Sequence, residues 1–305
     1  MIKHYIKIAR FDHWFKNIFM LPGIIMGLYY NNFSIESTST GIILAGILAT
    51  CLIASANYII NEWLDTEFDK FHPVKKDRSS VKADLQPGII YTEYIVFALA
   101  GLIISSLISV QFLLTEAVFL IMGFLYNARP FRTKEKAYLD VLSESLNNPI
   151  RFILGWMLMG ITIFPPSSIL IAYWMGGAFL MATKRFAEYR FISNPDLARK
   201  YRQSFRYYTE EKLLTSIFFY ALCSSFFLAI FLIKHRIELL ISFPFIAVLF
   251  AWYLNLGFEK GSIVQTPEKL YQKKGFVLYL LFLSVLMVVL LKIDIPELHW
   301  FIKNY

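Results

Sequence analysis

Residues 41–80 read GIILAGILATCLIASANYIINEWLDTEFDKFHPVKKDRSS, and the change of character within this stretch decides the fold. Residues 41–62 are apolar almost throughout. A helix of about 20 such residues crosses the roughly 30 Å hydrocarbon core of a bilayer. Asn57, Asn61, Asp65 and Asp69 then follow at intervals of four, and Lys75, Lys76 and Arg78 come directly after. Residues four apart stack on one face of a helix, so the spacing predicts a polar stripe that emerges from the membrane carrying two carboxylates. Ionised groups at that depth are costly and normally have a partner.

The rest of the chain has the same make-up. Of its 305 residues 57% are hydrophobic and only 17% charged, and the mean hydropathy is +0.53. Soluble domains are close to a quarter charged. Apolar blocks fall at 17–33, 41–62, 89–108, 111–127, 138–162, 165–185, 213–233, 237–257 and 275–293. They predict an all-α membrane protein of nine transmembrane helices, a single domain over 1–305 with no room for a separate soluble one. A continuous helix over 89–127 would be about 57 Å long, too long for the bilayer, so a fold-back is expected near Gln111, Thr115 and Glu116. The basic, aromatic start lacks a cleavable signal and predicts a short interfacial helix. Cys51 and Cys223 sit inside apolar blocks without CxxC spacing and read as buried thiols.

Orientation follows from the charges. With nine spans, 25 of the 30 Lys and Arg residues fall on the side of the N-terminus. Four fall on the other side, and Arg151 alone lies within a span. This asymmetry predicts a multi-pass cell-membrane protein with a cytoplasmic N-terminus. The net charge of +8 is then a consequence of topology and no sign of nucleic-acid binding.

Three cytoplasmic loops bring acids and bases to one face. Besides Asp65 and Asp69, the fifth block opens with Asp140 and Glu144, again four apart, followed by Asn147, Asn148 and Arg151. An ionisable residue within a span is a functional candidate, and Asp140 or Glu144 is the expected partner of Arg151. The sixth block ends in Lys184, Arg185 and Glu188. Stacked carboxylates repel each other, and a hard divalent cation relieves that cost. Mg²⁺ binds through one or two carboxylates plus substrate phosphates. Basic residues alongside, Lys75, Lys76 and Arg78 after the first pair and Arg132, Lys134 and Lys136 before the second, suit a diphosphate. A plainer account makes the first acidic pair a solvated helix end, but a second pair at the same depth argues against it. Arg199–Arg206 read as a solvated or lipid-facing helix. Trp14, Trp63 and Trp156 read as interfacial anchors or packing, and His13 and His72 are not at ligand spacing.

At these residues the chain resembles the UbiA superfamily of intramembrane prenyltransferases. The first family motif, Asn-Asp-x-x-Asp-x-x-x-Asp, stands here as Asn61-Glu62-Trp63-Leu64-Asp65-Thr66-Glu67-Phe68-Asp69, with Glu62 in place of the usual Asp. The second, Asp-x-x-x-Asp, stands as Asp140 to Glu144, preceded by the tyrosine and lysine that match Tyr126 and Lys134. Within the superfamily, His72-Pro73-Val74-Lys75-Lys76-Asp77-Arg78, Lys184-Arg185-Phe186-Ala187-Glu188 and Trp14-Phe15-Lys16-Asn17 are similar to segments of the decaprenyl-phosphate phosphoribosyltransferase branch. The branch usually continues Arg-Pro-Ile-Ala-x-Gly where this chain has Arg78-Ser79-Ser80-Val81-Lys82.

The resemblance implies a nine-helix UbiA-type bundle around a central cavity and Mg²⁺-dependent transfer with loss of diphosphate. It implies Asn61, Asp65, Asp69, Asp140 and Glu144 as metal-site residues, the four acids being catalytic. Substrate contacts would come from Asn57, Asn61, Lys75, Arg78, Tyr126, Lys134, Asn148, Arg151, Lys184, Arg185 and Glu188. The substrates would be a diphosphate-bearing donor and an isoprenoid lipid in the membrane. Phosphoribosyl transfer to a polyprenyl phosphate is favoured, with Lys184 and Arg185 serving a second phosphate. The alternative is prenyl transfer from a polyprenyl diphosphate to an aromatic or lipid acceptor. Ion-coupled transport is a lesser alternative, since membrane carboxylates also serve that purpose.

Overall fold

The computed structural model describes residues 2–33 and 39–300, and among these no strand occurs. The helices are α1 (Ile2–Ile8), α2 (Leu21–Tyr30), α3 (Thr40–Leu64), α4 (Thr66–Asp69), α5 (Ser79–Lys82), α6 (Pro87–Ser106), α7 (Val110–Asn127), α8 (Leu139–Ser145), α9 (Asn147–Met157), α10 (Ser167–Ile192), α11 (Pro195–Tyr201), α12 (Glu210–His235), α13 (Phe243–Phe258) and α14 (Lys274–Lys292). Short 3₁₀ stretches link them, among them Phe11–Met20 and Ile237–Ser242.

Six segments are long and apolar enough to cross a membrane: Thr40–Leu64, Pro87–Ser106, Val110–Asn127, Glu210–His235, Ile237–Phe258 and Lys274–Lys292. The other three expected spans are helical but differ physically, so nine spans are not established. Block 17–33 begins as 3₁₀ helix and turns α-helical at Leu21, with Pro22 in the first turn. Block 138–162 is interrupted at Leu146, between α8 and α9. Pro149 there lacks the N–H that a continuous helix would use. α10 carries Lys184, Arg185, Glu188 and Arg190 in its second half.

The fold-back between α6 and α7 lies at Leu107–Ser109, a few residues before the expected one. The Ser109 hydroxyl accepts from Phe112 N at 3.1 Å and so caps α7. Thr115 and Glu116 are consequently inside α7, and buried Glu116 accepts a 2.5 Å hydrogen bond from Thr50.

The chain forms two compact units, residues 1–164 with 192–209, and residues 165–191 with 210–305. In the first, α3 packs along α6 and α7, and α2 packs against α9. The last pair meets at glycine: a Cβ on Gly155 would lie 2.1 Å from Met20 O, and one on Gly23 2.0 Å from Phe152 O. Small residues of this kind let membrane helices approach to backbone contact. α1 docks through Ile8 and Ala9 onto Ile59, Leu85 and Ile90. In the second unit α13 packs on α14, and the 3₁₀ turn at 237–242 touches α12, α13 and α14.

Candidate active site at the ends of the third and seventh helices

α3 ends at Leu64 and α4 begins at Thr66, with Asp65 (φ −94°, ψ −5°) between them. Asp65 N still donates to Asn61 O at 3.1 Å and Asp69 N to Asp65 O at 2.9 Å, so the polar stripe continues past the helix end. Thr66 Oγ1 donates to Trp63 O at 2.8 Å, and Arg132 Nη2 donates to Leu64 O at 3.4 Å. Asn57 and Asn61 remain on α3 and face α7. Asn57 donates to Phe119 O (3.1 Å), and Asn61 to Asn127 Oδ1 (2.5 Å). Asp65, at the helix end, and Asp69, on α4, line one small cavity, and Lys134 links Asp65 to Asn127, the partner of Asn61.

The cavity, about 20 Å³, is also lined by Phe68, Arg132, Lys134, Glu135, Tyr201, Arg202 and Gln203. Asp65 Oδ1 receives Arg132 Nη2 at 2.9 Å and Lys134 Nζ at 2.5 Å. Asp69 Oδ2 receives Arg78 Nη1 at 2.5 Å. Burial alone would raise the Asp65 carboxyl, but Lys134 and Arg132 outweigh it and hold it below the ordinary carboxylate range. Burial pushes the Lys134 ammonium down to about 8, against the pull of Asp65. The Arg78 guanidinium, although buried, is held above its ordinary value by Asp69 and Glu62.

Arg132 organises this end of the unit. It has left-handed backbone angles (φ 32°, ψ 58°), uncommon for a residue with a side chain. Its guanidinium reaches Asn127 O at 2.8 Å, Asp65 and Glu135. One side chain thus satisfies carbonyls at the C-terminal ends of both α3 and α7, where cations are favoured. Lys134 also donates to Asn127 Oδ1 at 2.7 Å.

The second acidic pair is placed differently. Asp140 is fully buried and accepts from Ser204 Oγ (3.0 Å) and Tyr208 OH (2.7 Å), with Arg202 at 3.8 Å. Glu144 accepts from Tyr126 OH at 2.6 Å. Among the described residues no three His, Cys, Asp or Glu side chains meet as a metal cluster, so the four acids and Asn61 are not gathered around one point. Arg151 pairs with neither Asp140 nor Glu144. Its Nε donates to Asn17 Oδ1 at 2.8 Å, and the guanidinium lies over the Phe119 ring at 4.7 Å. Asn148 is in the first turn of α9. Lys184, Arg185 and Glu188 lie on α10 in the second unit, where buried Arg185 pairs with Glu188 at 3.3 Å. Lys75 hydrogen-bonds Tyr201, whose ring lies edge-on to His72 at 4.6 Å.

The solvated reading of residues 199–206 holds for Arg199 and Lys200, exposed at the end of α11, and fails for the inner part of the stretch. α11 ends at Tyr201, and Arg202 turns inward with its side chain 12% exposed. The interleaved aromatics of Tyr201-Arg202-Gln203-Ser204-Phe205-Arg206-Tyr207-Tyr208 were the available signal, because a solvated face does not need them. Glu62 is buried and pairs with Arg10 at 3.8 Å, joining the N-terminal segment to the end of α3.

The donor set suits a hard divalent cation. Asp65 and Asp69 each give one carboxylate oxygen to a base, and the cavity they share has room for about one water-sized particle. Two carboxylates are the protein contribution expected for Mg²⁺ held jointly with substrate phosphates.

Residues 20–262 match the UbiA prenyltransferase family. The chain belongs to that family. A decaprenyl-phosphate phosphoribosyltransferase of Mycolicibacterium smegmatis is 26% identical over 217 residues, 70% of this chain and 65% of that protein. An uncharacterized protein, y4nM, of Sinorhizobium fredii is 28% identical over 164 residues, 54% of this chain and 30% of that protein. The chain thus spans less than two thirds of the length of these curated relatives. The structure of a UbiA homolog from Archaeoglobus fulgidus bound to DMAPP and Mg²⁺ matches with a TM-score of 0.71 at 20% identity. That match covers 94% of this chain and 99% of the other, and it gives the UbiA fold.

Proposed function

We propose that the chain acts as one transferase domain that moves a phosphoribosyl group from phosphoribosyl diphosphate to a polyprenyl phosphate at the cytoplasmic face of the cell membrane. The observation that carries this reading is the cavity in which Asp65 and Asp69 face Arg132, Lys134 and Arg202. An acceptor phosphate oxygen would form a bond to the anomeric carbon while the bond from that carbon to the diphosphate breaks. Asp65 and Asp69 would hold Mg²⁺, which supplies charge neutralisation for the departing diphosphate. Arg132, Lys134 and Arg78 orient the phosphates by charge-assisted hydrogen bonds. Such preorganised charge is the largest catalytic contribution expected of a site whose leaving group is an anion. Asp140, Glu144, Asn57, Asn61, Lys75, Tyr126, Asn148, Arg151, Lys184, Arg185 and Glu188 complete the proposed set of site residues.

The phosphoribosyl donor is favoured by the M. smegmatis relative. Prenyl transfer to an aromatic or lipid acceptor is the second reading, favoured by the DMAPP-bound A. fulgidus homolog. Ion-coupled transport has no observation in its favour. Incubating purified protein with Mg²⁺, a polyprenyl phosphate and labelled phosphoribosyl diphosphate should release diphosphate and yield a labelled lipid. Release only from a prenyl diphosphate would establish the second reading.

A further inference from the structure

A second cavity, of about 740 Å³, lies beside the first and shares Arg132, Glu135 and Gln203 with it. Its remaining wall includes Arg129, Phe131, Lys136, Arg206 and Tyr207. The volume is that of a small-molecule site, but the lining is basic. Its one acid, Glu135, is already paired with Arg132. Among the described residues Arg129, Lys136 and Arg206 have no carboxylate partner. Topology alone would scatter these bases over the cytoplasmic loops, whereas here two separate segments turn them toward one concavity. Those segments are fastened together: Tyr138 N donates to Tyr208 OH at 2.6 Å, and Tyr208 OH donates to Asp140. Arg132 and Tyr138 both have positive φ, at 32° and 66°. Strained backbone of this kind persists where the surroundings over-determine it, often at ligand sites.

We propose that this cavity is a phosphate-monoester subsite, continuous with the diphosphate cavity, so that the site takes a donor phosphorylated at both ends. The proposal rests on the phosphoribosyl reading and deepens it. Converging bases without counter-charges repel one another, and a dianionic phosphate relieves that repulsion while using the planar donor forks of arginine. A prenyl tail gains nothing from such a lining. Arg129, Lys136 and Arg206 are better placed for the second phosphate than Arg185, which is already paired with Glu188.

Calorimetry on the full chain in nanodiscs with Mg²⁺ tests this, with phosphoribosyl diphosphate, inorganic pyrophosphate and ribose 5-phosphate as ligands. Lys136→Ala and Arg206→Ala should each raise the Kd of phosphoribosyl diphosphate about tenfold or more, the loss expected for a charge-assisted contact. The Kd of pyrophosphate should stay unchanged, which also reports a folded site. Ribose 5-phosphate should compete in the wild type and lose that ability in the variants. Equal binding of phosphoribosyl diphosphate by wild type and variants overturns the subsite and leaves the phosphoribosyl reading standing. A wild type that binds pyrophosphate and a prenyl diphosphate, but not phosphoribosyl diphosphate, overturns both. Variants that lose only their enrichment of phosphatidate in the nanodisc, with donor binding unchanged, reassign the cavity to lipid headgroups and overturn the subsite as well.

Discussion

Asp65 is the residue on which the proposed site turns. It is held by two cations and shares a cavity with Asp69. Asp65→Asn keeps the shape but removes the charge that would bind a metal. Turnover should fall by about 10²–10³ or more, the usual loss when a preorganised electrostatic contact is removed. The thermal midpoint should fall, because buried Lys134 loses its counter-charge, but the protein should stay folded, because Arg132 retains its bonds to Leu64, Asn127 and Glu135. Turnover assays alongside a thermal scan check this, and wild-type turnover in the variant would remove Asp65 from the chemistry. Lys134 gives a pH signature. Its ammonium is pushed down to about 8, so it is charged below that pH and neutral above it. Attraction for an anionic donor is therefore full below about pH 8 and falls as pH rises through it. KM for the donor should rise on the alkaline side, and Lys134→Arg, which stays charged, should abolish that rise. A wild-type KM that is flat from pH 7 to 9 would count against this assignment.

Helix ends and interruptions place these side chains. α3 ends at Leu64, and a broken α8–α9 replaces one long helix. Asp65 sits at the first of these ends, and Asp140 and Glu144 lie on α8 just before the second. Irregular backbone at membrane depth is tolerated where protein encloses it, and Asp140 is indeed fully buried. The close meeting of α2 with α9 fixes the second half of that broken helix. Gly155→Ala would set a Cβ 2.1 Å from Met20 O and should destabilise the protein by about 1–3 kcal/mol through overpacking. Gly88, in the first turn of α6, has nothing within 4 Å of its would-be Cβ, so Gly88→Ala should leave stability unchanged or slightly improved. Thermal unfolding in detergent compares the two, and equal midpoints would show that the α2–α9 contact yields without cost.

For the whole molecule, the distribution of charge predicts orientation. On the nine-span reading 25 basic residues fall on one side and four on the other, so the loops holding Lys76 and Lys200 should be cytoplasmic and the turn holding Lys234 external. In a background of Cys51→Ala and Cys223→Ala, an impermeant maleimide should label Lys234→Cys on intact cells. Lys76→Cys and Lys200→Cys should react only after lysis. Strong labelling of either from outside would reverse the topology and move the acidic cavity to the other face of the membrane.

The sequence by itself determined the membrane class, the helical architecture and the identity of the acidic pairs. Those features depend on local quantities: apolar run length, charge content and a four-residue period. The family resemblance singled out Tyr126 and Glu144 separately, and the structure joins them by a hydrogen bond. Only the tertiary structure decided which groups meet. Asp65 finds Arg132 across 67 positions, and Asp140 finds Ser204 and Tyr208 across 64 and 68. Arg202 turned from a solvated face into the wall of the cavity, while Arg151 took Asn17 across 134 positions instead of a nearby acid. Periodicity encodes which face of an element is apolar. It does not encode where that element ends or what a distant loop brings to it, and burial makes those remote partnerships decisive, because a buried charge must find a partner wherever the fold supplies one.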